Sequence, residues 1–251
     1  MRDSQSQFGP VAEAYLKSSS HSNEAALQAC LELVHPQGGP VLDVATGAGH
    51  TAYTFAPHAE FVVASDITPE MLAVVDRVSV ERSIDNIRTE LFSAEDIPYP
   101  AESFEGVTCR VAAHHFRDPG LFVQEAFRVI QPRGWLLLVD TVGIDDAVAD
   151  EQLQRLEAAR DPSHVRNYTS SWWQSTLAEA GFTVASTEVT SYPHNAYDWM
   201  DRMRVEEPTR SKVLHQIIYS EGWLRDYLRP VGEGESLTFR LHQITLLGRK
   251  P

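Results

Sequence analysis

A short apolar run leads into a glycine-rich turn and then into a helical pattern in VLDVATGAGHTAYTFAP, residues 41–57. A buried strand that passes through a turn into a helix is the repeating unit of parallel α/β sheets. The turn from Gly47 to Ala52 also fits the spacing G-x-G-x-x-G/A, which is typical of dinucleotide-binding proteins. The segment therefore predicts an α/β fold with a ligand at the carboxyl end of this strand, and the question is which ligand.

Apolar runs alternate with helix-period segments along the first 140 residues. Two of the helices have a recognisable start, because Thr68 and Asp118 suit an N-cap and a proline follows each of them. The alternation predicts a doubly wound, mostly parallel sheet with helices on both faces. The predicted strands of this part are Val41–Ala45, Phe61–Ser65, Ile87–Phe92, Gly106–Val111 and Trp135–Asp140.

The C-terminal part of the chain has a different pattern. Residues 145–180 are predicted to be mainly helical, and Phe182–Val189 is predicted to be a sixth strand. The final SLTFRLHQITLLGRKP predicts a long last strand whose apolar phase shifts between Leu241 and Ile244, as at a bulge. A helical insertion over residues 192–234 separates these two strands and is predicted to be a lid or a partner surface.

The composition limits the range of partners. With 21 Lys and Arg against 35 Asp and Glu, the formal charge is −14, and such an acidic chain is a poor candidate for binding nucleic acid or an anionic membrane. Cys30 and Cys109 have no metal-ligand spacing, so they predict buried, reduced thiols, and no metal site is predicted. The polar N-terminal segment and the lack of a long apolar run predict a cytoplasmic protein.

The acid near the end of the first strand argues against a dinucleotide. In a dinucleotide-binding unit the first glycine follows the strand almost directly, so that the helix N-terminus meets the pyrophosphate. Here the first glycine comes four residues after Asp43. A carboxylate at this position repels a pyrophosphate and suits an ammonium group, while the N–H groups of the next helix can bind a carboxylate.

A second acid follows the next strand. Asp66 in FVVASD lies seventeen residues past Gly49, where a carboxylate can accept hydrogen bonds from both hydroxyls of a ribose. An ammonium, a carboxylate and a ribose together describe S-adenosylmethionine. The alternative is that the glycines only form a turn and that Asp66 only caps a helix.

Three stretches carry a resemblance to a known family, namely VLDVATGAGH, SDITPEML and AEDIPYPAESFEGVTCRVAAHHFRDPG. Through them the chain resembles the class I S-adenosylmethionine-dependent methyltransferases, and within these the branch related to the ubiquinone/menaquinone C-methyltransferases. The resemblance implies a Rossmann-like, seven-stranded α/β sheet whose last strand is antiparallel. It also implies a single methyltransferase domain over residues 1–251, with an N-terminal helical arm (1–38), a cofactor-binding core (39–142), and acceptor-side helices and C-terminal strands (143–251).

The resemblance also implies which residues hold the cofactor, because the family's motifs can be carried over position by position. Ala45 stands where a glycine is common in the family, and Ser93 stands where many relatives carry an aspartate. The implied cofactor-binding residues are Tyr15 in the arm, Asp43, Ala45, Gly47 and Gly49 in the first motif, Asp66 and Ile67 after the second strand, Ala94 and Glu95 after the third, and Arg110 and Ala112 at the end of the fourth.

Two adjacent histidines, His114 and His115, follow the fourth strand in CRVAAHHF. Ligands of such sheets gather outside the carboxyl ends of the strands, and the pKa of histidine lies near working pH. Either residue is therefore a candidate catalytic base for an acceptor that must lose a proton. Adjacent residues of an extended segment face opposite ways, which predicts that only one of the two reaches the site. The alternative is that one histidine packs beneath a loop.

A basic and aromatic cluster lies in RDPSHVRNYTSSWW, residues 160–173. It is predicted to clamp a carboxylate or phosphate of the acceptor, with arginine as a forked donor. The alternative is a set of surface residues paired with nearby acids. The substrate-binding candidates are Arg160, His164, Arg166, Tyr168 and Trp172.

The predicted function is transfer of a methyl group from S-adenosylmethionine to a small organic acceptor, with S-adenosylhomocysteine as the product. The resemblance favours carbon as the methylated atom, although oxygen and nitrogen acceptors occur on the same fold. Two alternatives stay open at this point: a nicotinamide-dependent oxidoreductase, and a protein that binds S-adenosylmethionine without catalysis. A homodimer with the insertion as its contact is a further possibility.

Overall fold

The computed structural model describes Leu16 and residues 23–251 of the chain. Seven strands of this part form one sheet in the order β3-β2-β1-β4-β5-β7-β6. Strands β1 to β5 are parallel, and β7 runs antiparallel between β5 and β6, which confirms the predicted topology. The strands are β1 (Val41–Val44), β2 (Val62–Asp66), β3 (Ile87–Leu91), β4 (Phe104–Arg110), β5 (Ile130–Thr141), β6 (Thr183–Asn195) and β7 (Thr238–Arg249).

Helices cover both faces of this sheet. The first three helices pack on one face, two later ones pack on the other, and the remaining four form a group around one end of β7. Short 3-10 turns at Ala113–His115 and elsewhere join some of the elements. The helices are α1 (Glu24–Val34), α2 (His50–Phe55), α3 (Pro69–Glu81), α4 (Pro119–Val129), α5 (Ala147–Arg160), α6 (Ser170–Ala180), α7 (Ala196–Asp201), α8 (Thr209–Ile218) and α9 (Gly222–Leu228).

Successive residues of the central strand β1 belong to different cores. Val41 packs with α1, α2 and α3, whereas Leu42 and Val44 pack with α4 and α6 on the opposite face. Side chains alternate between the faces of a strand, so a strand that is covered on both sides is apolar almost throughout. The free thiols of Cys30 and Cys109 lie buried in these two cores, as predicted.

The antiparallel strand β7 brings the insertion to the carboxyl edge of the parallel strands. Strand β5 stops at Thr141, which lies opposite Gln243 of β7. The preceding residues, 238–242, extend past that edge and pair with β6, and Thr238 also bridges Val231. Helices α5, α7, α8 and α9 pack on this extension in a third apolar cluster. The insertion therefore lies where ligands of such sheets bind.

The bulge predicted in the last strand is wrong. Strand β7 keeps a continuous register with β6, and the register shift lies in β6 instead, between Val184 and Ser186. The apolar phase of β7 changes because its cover changes. Leu241 packs in the third cluster, whereas Ile244 packs against the α4 and α6 layer on the other face.

Most predicted strand boundaries lie within two residues of the structure, but two differ by more. Strand β6 continues to Asn195, so the insertion begins at Ala196 and not at residue 192. Strand β5 begins at Ile130, which pairs with Phe104 ahead of a register shift, whereas the sequence predicted a start at Trp135. In both strands the extra residues are held by pairing with a neighbouring strand, which local apolar periodicity does not reveal.

The two glycines of the turn after β1 serve different purposes. Both have positive φ, +54° at Gly47 and +85° at Gly49. A Cβ atom on Gly47 would meet nothing within 4 Å, whereas one on Gly49 would lie 2.7 Å from Cζ of the buried Tyr53. Gly49 is also the N-cap of α2. It is therefore a packing requirement of the fold, and Gly47 keeps open space at the turn.

This difference predicts unequal losses of stability. Gly49→Ala should lower the free energy of unfolding by about 2–4 kcal/mol, since left-handed strain adds to overpacking against Tyr53. Gly47→Ala is the matched control and should cost only the strain, about 1–2 kcal/mol. Urea denaturation of both variants measures the difference. Equal losses would mean that Tyr53 does not determine the need for Gly49.

Candidate active site

A cavity of about 490 Å³ lies at the carboxyl edge of the parallel strands. One wall is formed by the loops after β1, β2, β3 and β4, and the other by the end of α5, residues 161–167, the end of β6 and α7. Its size is in the range of small-molecule sites. The predicted cofactor residues that line it are Ala45, Gly47, Asp66, Ile67, Ala94, Glu95, Arg110 and Ala112.

Two of the predicted cofactor residues that the structure describes, Asp43 and Gly49, are absent from this lining. Gly49 packs on Tyr53, and Asp43 lies beneath the turn. Tyr15 falls outside the described residues, so its predicted role over the donor stays a prediction.

Asp66 lies at the end of β2 with a fixed carboxylate. Oδ2 accepts the N–H of Gly47 at 2.9 Å, and Oδ1 accepts the N–H of Thr68 at 2.9 Å. Only 8% of the residue is exposed. Burial raises the pKa of its carboxyl group, although these hydrogen bonds lower it in part. Each carboxylate oxygen has a second acceptor position, so Asp66 can still accept hydrogen bonds from a ligand.

Asp43 holds the turn from below. Its Oδ2 accepts a hydrogen bond from Thr46 Oγ1 and its Oδ1 one from Thr108 Oγ1, both at 2.6 Å. Burial raises the pKa of Asp43 to about 6, although these hydrogen bonds and the charge of Arg110 oppose the shift. The carboxylate therefore supplies negative charge beneath the cavity and is not itself part of its wall.

The cavity floor has strained backbone at two neighbouring strand ends. Ala45 follows β1 with φ of 52°, and Val111 follows β4 with φ of 55°. A branched residue with positive φ is a true outlier, held here by a hydrogen bond from the Val111 N–H to the Val139 carbonyl at 2.6 Å. Such strain costs about 1–3 kcal/mol and concentrates at functional sites.

Glu95 connects two sides of the cavity. Its Oε1 accepts the N–H of Asp118, at the start of α4, at 2.8 Å. Its own N–H donates to Ser93 Oγ at 3.3 Å. The loop after β3 is thereby tied to the loop after β4, and Ser93, Ala94 and Glu95 together line the cavity.

His114 forms a buried pair with Asp140. His114 Nδ1 lies 2.6 Å from Asp140 Oδ1, and the His114 N–H donates to Asp140 Oδ2 at 2.8 Å. Burial lowers the pKa of His114, but the Asp140 carboxylate outweighs it, so the pKa is raised overall. An ionised carboxylate only accepts, so Nδ1 carries a proton and Nε2 is the acceptor of the neutral ring. No residue of the described chain hydrogen-bonds to Nε2.

His115 lies beside His114 and is bound differently. Its Nδ1 lies 3.2 Å from the Ser163 carbonyl, and its Nε2 lies 3.9 Å from Asp161. The two imidazole centroids are 4.1 Å apart. Burial and the charge of His114 lower the pKa of His115 to about 4. Both histidines line the cavity, so the prediction that only one reaches it is wrong, because they lie in a 3-10 turn and not in an extended segment. His115 is neutral near pH 7 and is engaged by residues 161–163.

The residues of the predicted clamp over 160–173 do not all lie at the cavity. Arg160 lines the cavity, whereas the other four candidates do not. Arg166 is paired with Asp150. His164 Nε2 lies 2.8 Å from Gln154 Oε1, and burial, together with neighbouring positive charges, lowers the pKa of His164 to about 2. Tyr168 stacks on Trp172 with centroids 4.0 Å apart, and both pack against the core.

Sequence reasoning missed several residues of the cavity. Asp140, which holds His114 from behind the cavity wall, could also have been found, because it ends the predicted fifth strand at the same sheet edge as His114. The rest come from the insertion and from segments whose placement is set by tertiary packing. The missed lining residues with polar or aromatic side chains include Thr141, Glu157, Asp161, Ser163, Asn167, His194, Trp199, Arg202 and Gln243.

The part of the chain that the structure describes lacks two further kinds of feature. No group of three or more histidine, cysteine or acidic side chains is placed there to hold a metal ion. Among the same residues, no helix combines the length and apolar composition needed to cross a membrane.

The sheet order, the antiparallel seventh strand and the cavity at the carboxyl edge define the class I methyltransferase fold. The methyltransferase-domain family model matches residues 42–138. A curated relative, the uncharacterized methyltransferase YcgJ of Bacillus subtilis (strain 168), is 32% identical over 84% of each chain. The chain therefore belongs to the class I S-adenosylmethionine-dependent methyltransferases.

Solved structures agree with this assignment. A candidate methyltransferase from Bacillus halodurans C-125 superposes with a TM-score of 0.86 and 34% identity, over 90% of this chain and 99% of that chain. The demethylmenaquinone methyltransferase of Deinococcus radiodurans is 38% identical, but only over 40% of this chain and 42% of its own length. These findings favour a methyltransferase over the nicotinamide-dependent oxidoreductase.

Proposed function

We propose that this chain binds S-adenosylmethionine at the carboxyl ends of β1, β2 and β4 and moves its methyl group to a small organic acceptor, with His114 as the catalytic base. One observation carries the proposal: His114, held by Asp140 from behind, lines the same cavity as Asp66, Gly47 and Ala112. A donor site and a base thus share one enclosed space. The predicted division of a single domain into arm, cofactor core and acceptor side belongs to this proposal.

The residues present fit S-adenosylmethionine. The buried Asp66 carboxylate has acceptor positions left for two ribose hydroxyls, and Gly47 leaves open space where a side chain would stand. Arg110 is largely buried, which lowers the pKa of its guanidinium, and Asp43 lies close enough to oppose that shift. In this proposal Arg110 binds the methionine carboxylate, and the negative charge of Asp43 favours the ammonium group. Ile67 and Ala94 border the adenine.

The protein's own contribution to the reaction is alignment, exclusion of water and removal of a proton. When bound, S-adenosylmethionine supplies a methyl group on a sulfonium, which an aligned nucleophile attacks in line. His114 Nε2 accepts the proton of the acceptor, and Asp140 holds the ring in the tautomer that leaves Nε2 free to accept it. His115 packs against His114 and bonds residues 161–163, so we assign it a positioning role.

The acceptor atom is the least constrained part of the proposal. The shared identity with a quinone-pathway enzyme favours carbon, but it covers only about two fifths of either chain. An acidic carbon and a phenolic oxygen both need a base, so the Asp140–His114 pair suits either. The homodimer and the cytoplasmic location stay predictions.

Replacement of Asp66 tests the donor site directly. Asp66→Ala should weaken binding of S-adenosylmethionine and S-adenosylhomocysteine by about 1–3 kcal/mol, because charge-assisted hydrogen bonds to the ribose are lost. Calorimetric titration measures this, with the exposed Asp85→Ala as a control that should bind normally. NADH is titrated alongside. An unchanged affinity in a folded Asp66→Ala variant would remove Asp66 from the site, and binding of NADH alone would overturn the proposal.

The pH profile tests the base. His114 acts only when unprotonated, and its pKa is raised, so kcat should fall on the acid side with a midpoint above the ordinary histidine value of about 6.5. Asp140→Asn removes the charge that raises this pKa and leaves burial to lower it. The acid limb should then move to lower pH, with a smaller plateau because the tautomer is no longer fixed. Identical midpoints in the two proteins would contradict the assignment of His114.

A further inference from the structure

Arg160, the last residue of α5, has a guanidinium that is held in place by Trp199 and not by an ion pair. Its Nε donates to the carbonyl of Trp199 at 3.2 Å, and Cζ lies 4.7 Å from the centroid of the Trp199 ring. Among residues 23–251, no carboxylate lies within ion-pair distance of it. Glu157, one helical turn earlier, is at a spacing that often forms ion pairs, yet the Arg160 side chain turns to Trp199 instead.

Two arginines near Arg160 have carboxylate partners. Arg155 on the same helix pairs with Glu151, and Arg166 pairs with Asp150. The chain has 35 acidic residues for 21 basic ones, and a cavity arginine with no carboxylate at ion-pair distance among the described residues keeps its charge available to a ligand. Its two Nη groups form a planar fork that matches the two oxygens of a carboxylate or phosphoryl group.

The surroundings of Arg160 also suit a ligand. Asn167 lines the same cavity at 1% exposure, and neither its Oδ1 nor its Nδ2 makes a hydrogen bond of good geometry in the described part of the chain, where the Glu157 carboxylate is its polar neighbour. A buried amide without partners is costly, and a bound polar ligand can satisfy it. Arg202 lines the wall as a second guanidinium, and Phe116 and Leu241 offer apolar surface for a hydrocarbon body.

His194 lines the same end of the cavity, near Arg160 and Arg202. Burial and the charges of Arg202 and Arg160 lower its pKa to about 4. His194 is therefore neutral at pH 7 and adds no charge of its own. Burial also raises the pKa of Glu157, which lines the same wall, so its carboxylate offsets the arginines less than an exposed one would.

We propose that the methyl acceptor is an oxyanion, carrying a carboxylate or phosphoryl group that the Nη atoms of Arg160 bind, while Asn167 hydrogen-bonds a polar substituent. The inference rests on the proposed function, since it places the reacting atom of the acceptor at His114 and its anionic end at Arg160. It also reduces the predicted clamp of residues 160–173 to one member, Arg160, and adds Asn167.

The test uses small probes with the full chain saturated by S-adenosylhomocysteine. Calorimetry compares benzoate with benzamide, its neutral isostere, and with phenyl phosphate. The unaltered protein should bind benzoate or phenyl phosphate about tenfold more tightly than benzamide, and Arg160→Gln should reduce this preference to about twofold or less. Arg155→Gln, on the exposed side of the same helix, is the control and should keep the preference.

The outcomes separate this inference from the proposed function. Tighter binding of phenyl phosphate than of benzoate assigns a phosphoryl acceptor, and the reverse assigns a carboxylate. Equal binding of charged and neutral probes, or a preference that survives in Arg160→Gln, overturns the inference while the donor site stands. Failure of S-adenosylhomocysteine to bind the unaltered protein overturns the proposed function itself.

Discussion

His114→Ala is expected to lower kcat by about 10²–10⁴-fold, the usual contribution of a positioned base to proton transfer. The reason is local: Nε2 of His114 is the one nitrogen of the Asp140–His114 pair that an acceptor can reach, since Nδ1 faces Asp140 at 2.6 Å. Binding of S-adenosylhomocysteine should not change, because the donor contacts lie at Asp66 and Gly47. The rate is measured as formation of S-adenosylhomocysteine, with the first acceptor that the unaltered protein methylates.

Two controls make this result specific. His58→Ala removes an exposed histidine outside the cavity and should leave the rate unchanged. His115→Ala should disturb packing beside His114 and reduce kcat less than His114→Ala does. A rate in His114→Ala close to that of the unaltered protein would mean that alignment alone drives the transfer and that the acceptor needs no base.

Gly106→Ala is expected to have the largest effect on folding. Gly106 lies in β4 directly beside Trp135 of β5, and a Cβ atom there would lie 2.2 Å from Cε2 of the indole. Trp135 is 1% exposed and packs against Phe55, with ring centroids 5.6 Å apart, so it cannot move aside. Overpacking of this kind should cost about 3 kcal/mol or more, a large part of a typical domain's stability of about 5–15 kcal/mol.

A second substitution separates this clash from a general intolerance of the strand. Trp135→Leu removes the indole and is destabilising by itself, but it makes room for the added methyl group. The double variant Gly106→Ala/Trp135→Leu should therefore cost less than the two single losses together, by more than about 1 kcal/mol. Urea denaturation of the four proteins gives the coupling. Additive losses would exclude Trp135 as the reason for the glycine.

The first half of the sheet could be predicted in detail because its signals are local. A strand buried on both faces is apolar throughout, and a helix that follows it begins at a cap and a proline, as Asp118 and Pro119 show at α4. The second half was predicted less well. The continuation of β6 to Asn195 depends on pairing with β7, which is distant in sequence and leaves no periodic signal.

The candidate site divides in the same way. Asp66 and Gly47 line the cavity, as predicted from their positions at the ends of two strands. Parallel strands bring their carboxyl ends to one edge of the sheet, so this part of the site follows from the order of the elements. The sequence predicted one substrate-binding group over residues 160–173, because its members lie close together along the chain. In the structure, Asp150 and Gln154 engage two of them, and only Arg160 remains at the cavity wall.

The sequence by itself determined the strand–turn–helix units, the acids at the strand ends and hence the class of protein, because these features depend on neighbouring residues alone. Only the tertiary structure decided that Gly106 must be a glycine, that His114 pairs with Asp140, and that Arg160 turns to Trp199. Each of these depends on contacts between residues far apart in the chain, whose distances are fixed when the sheet and the insertion pack together.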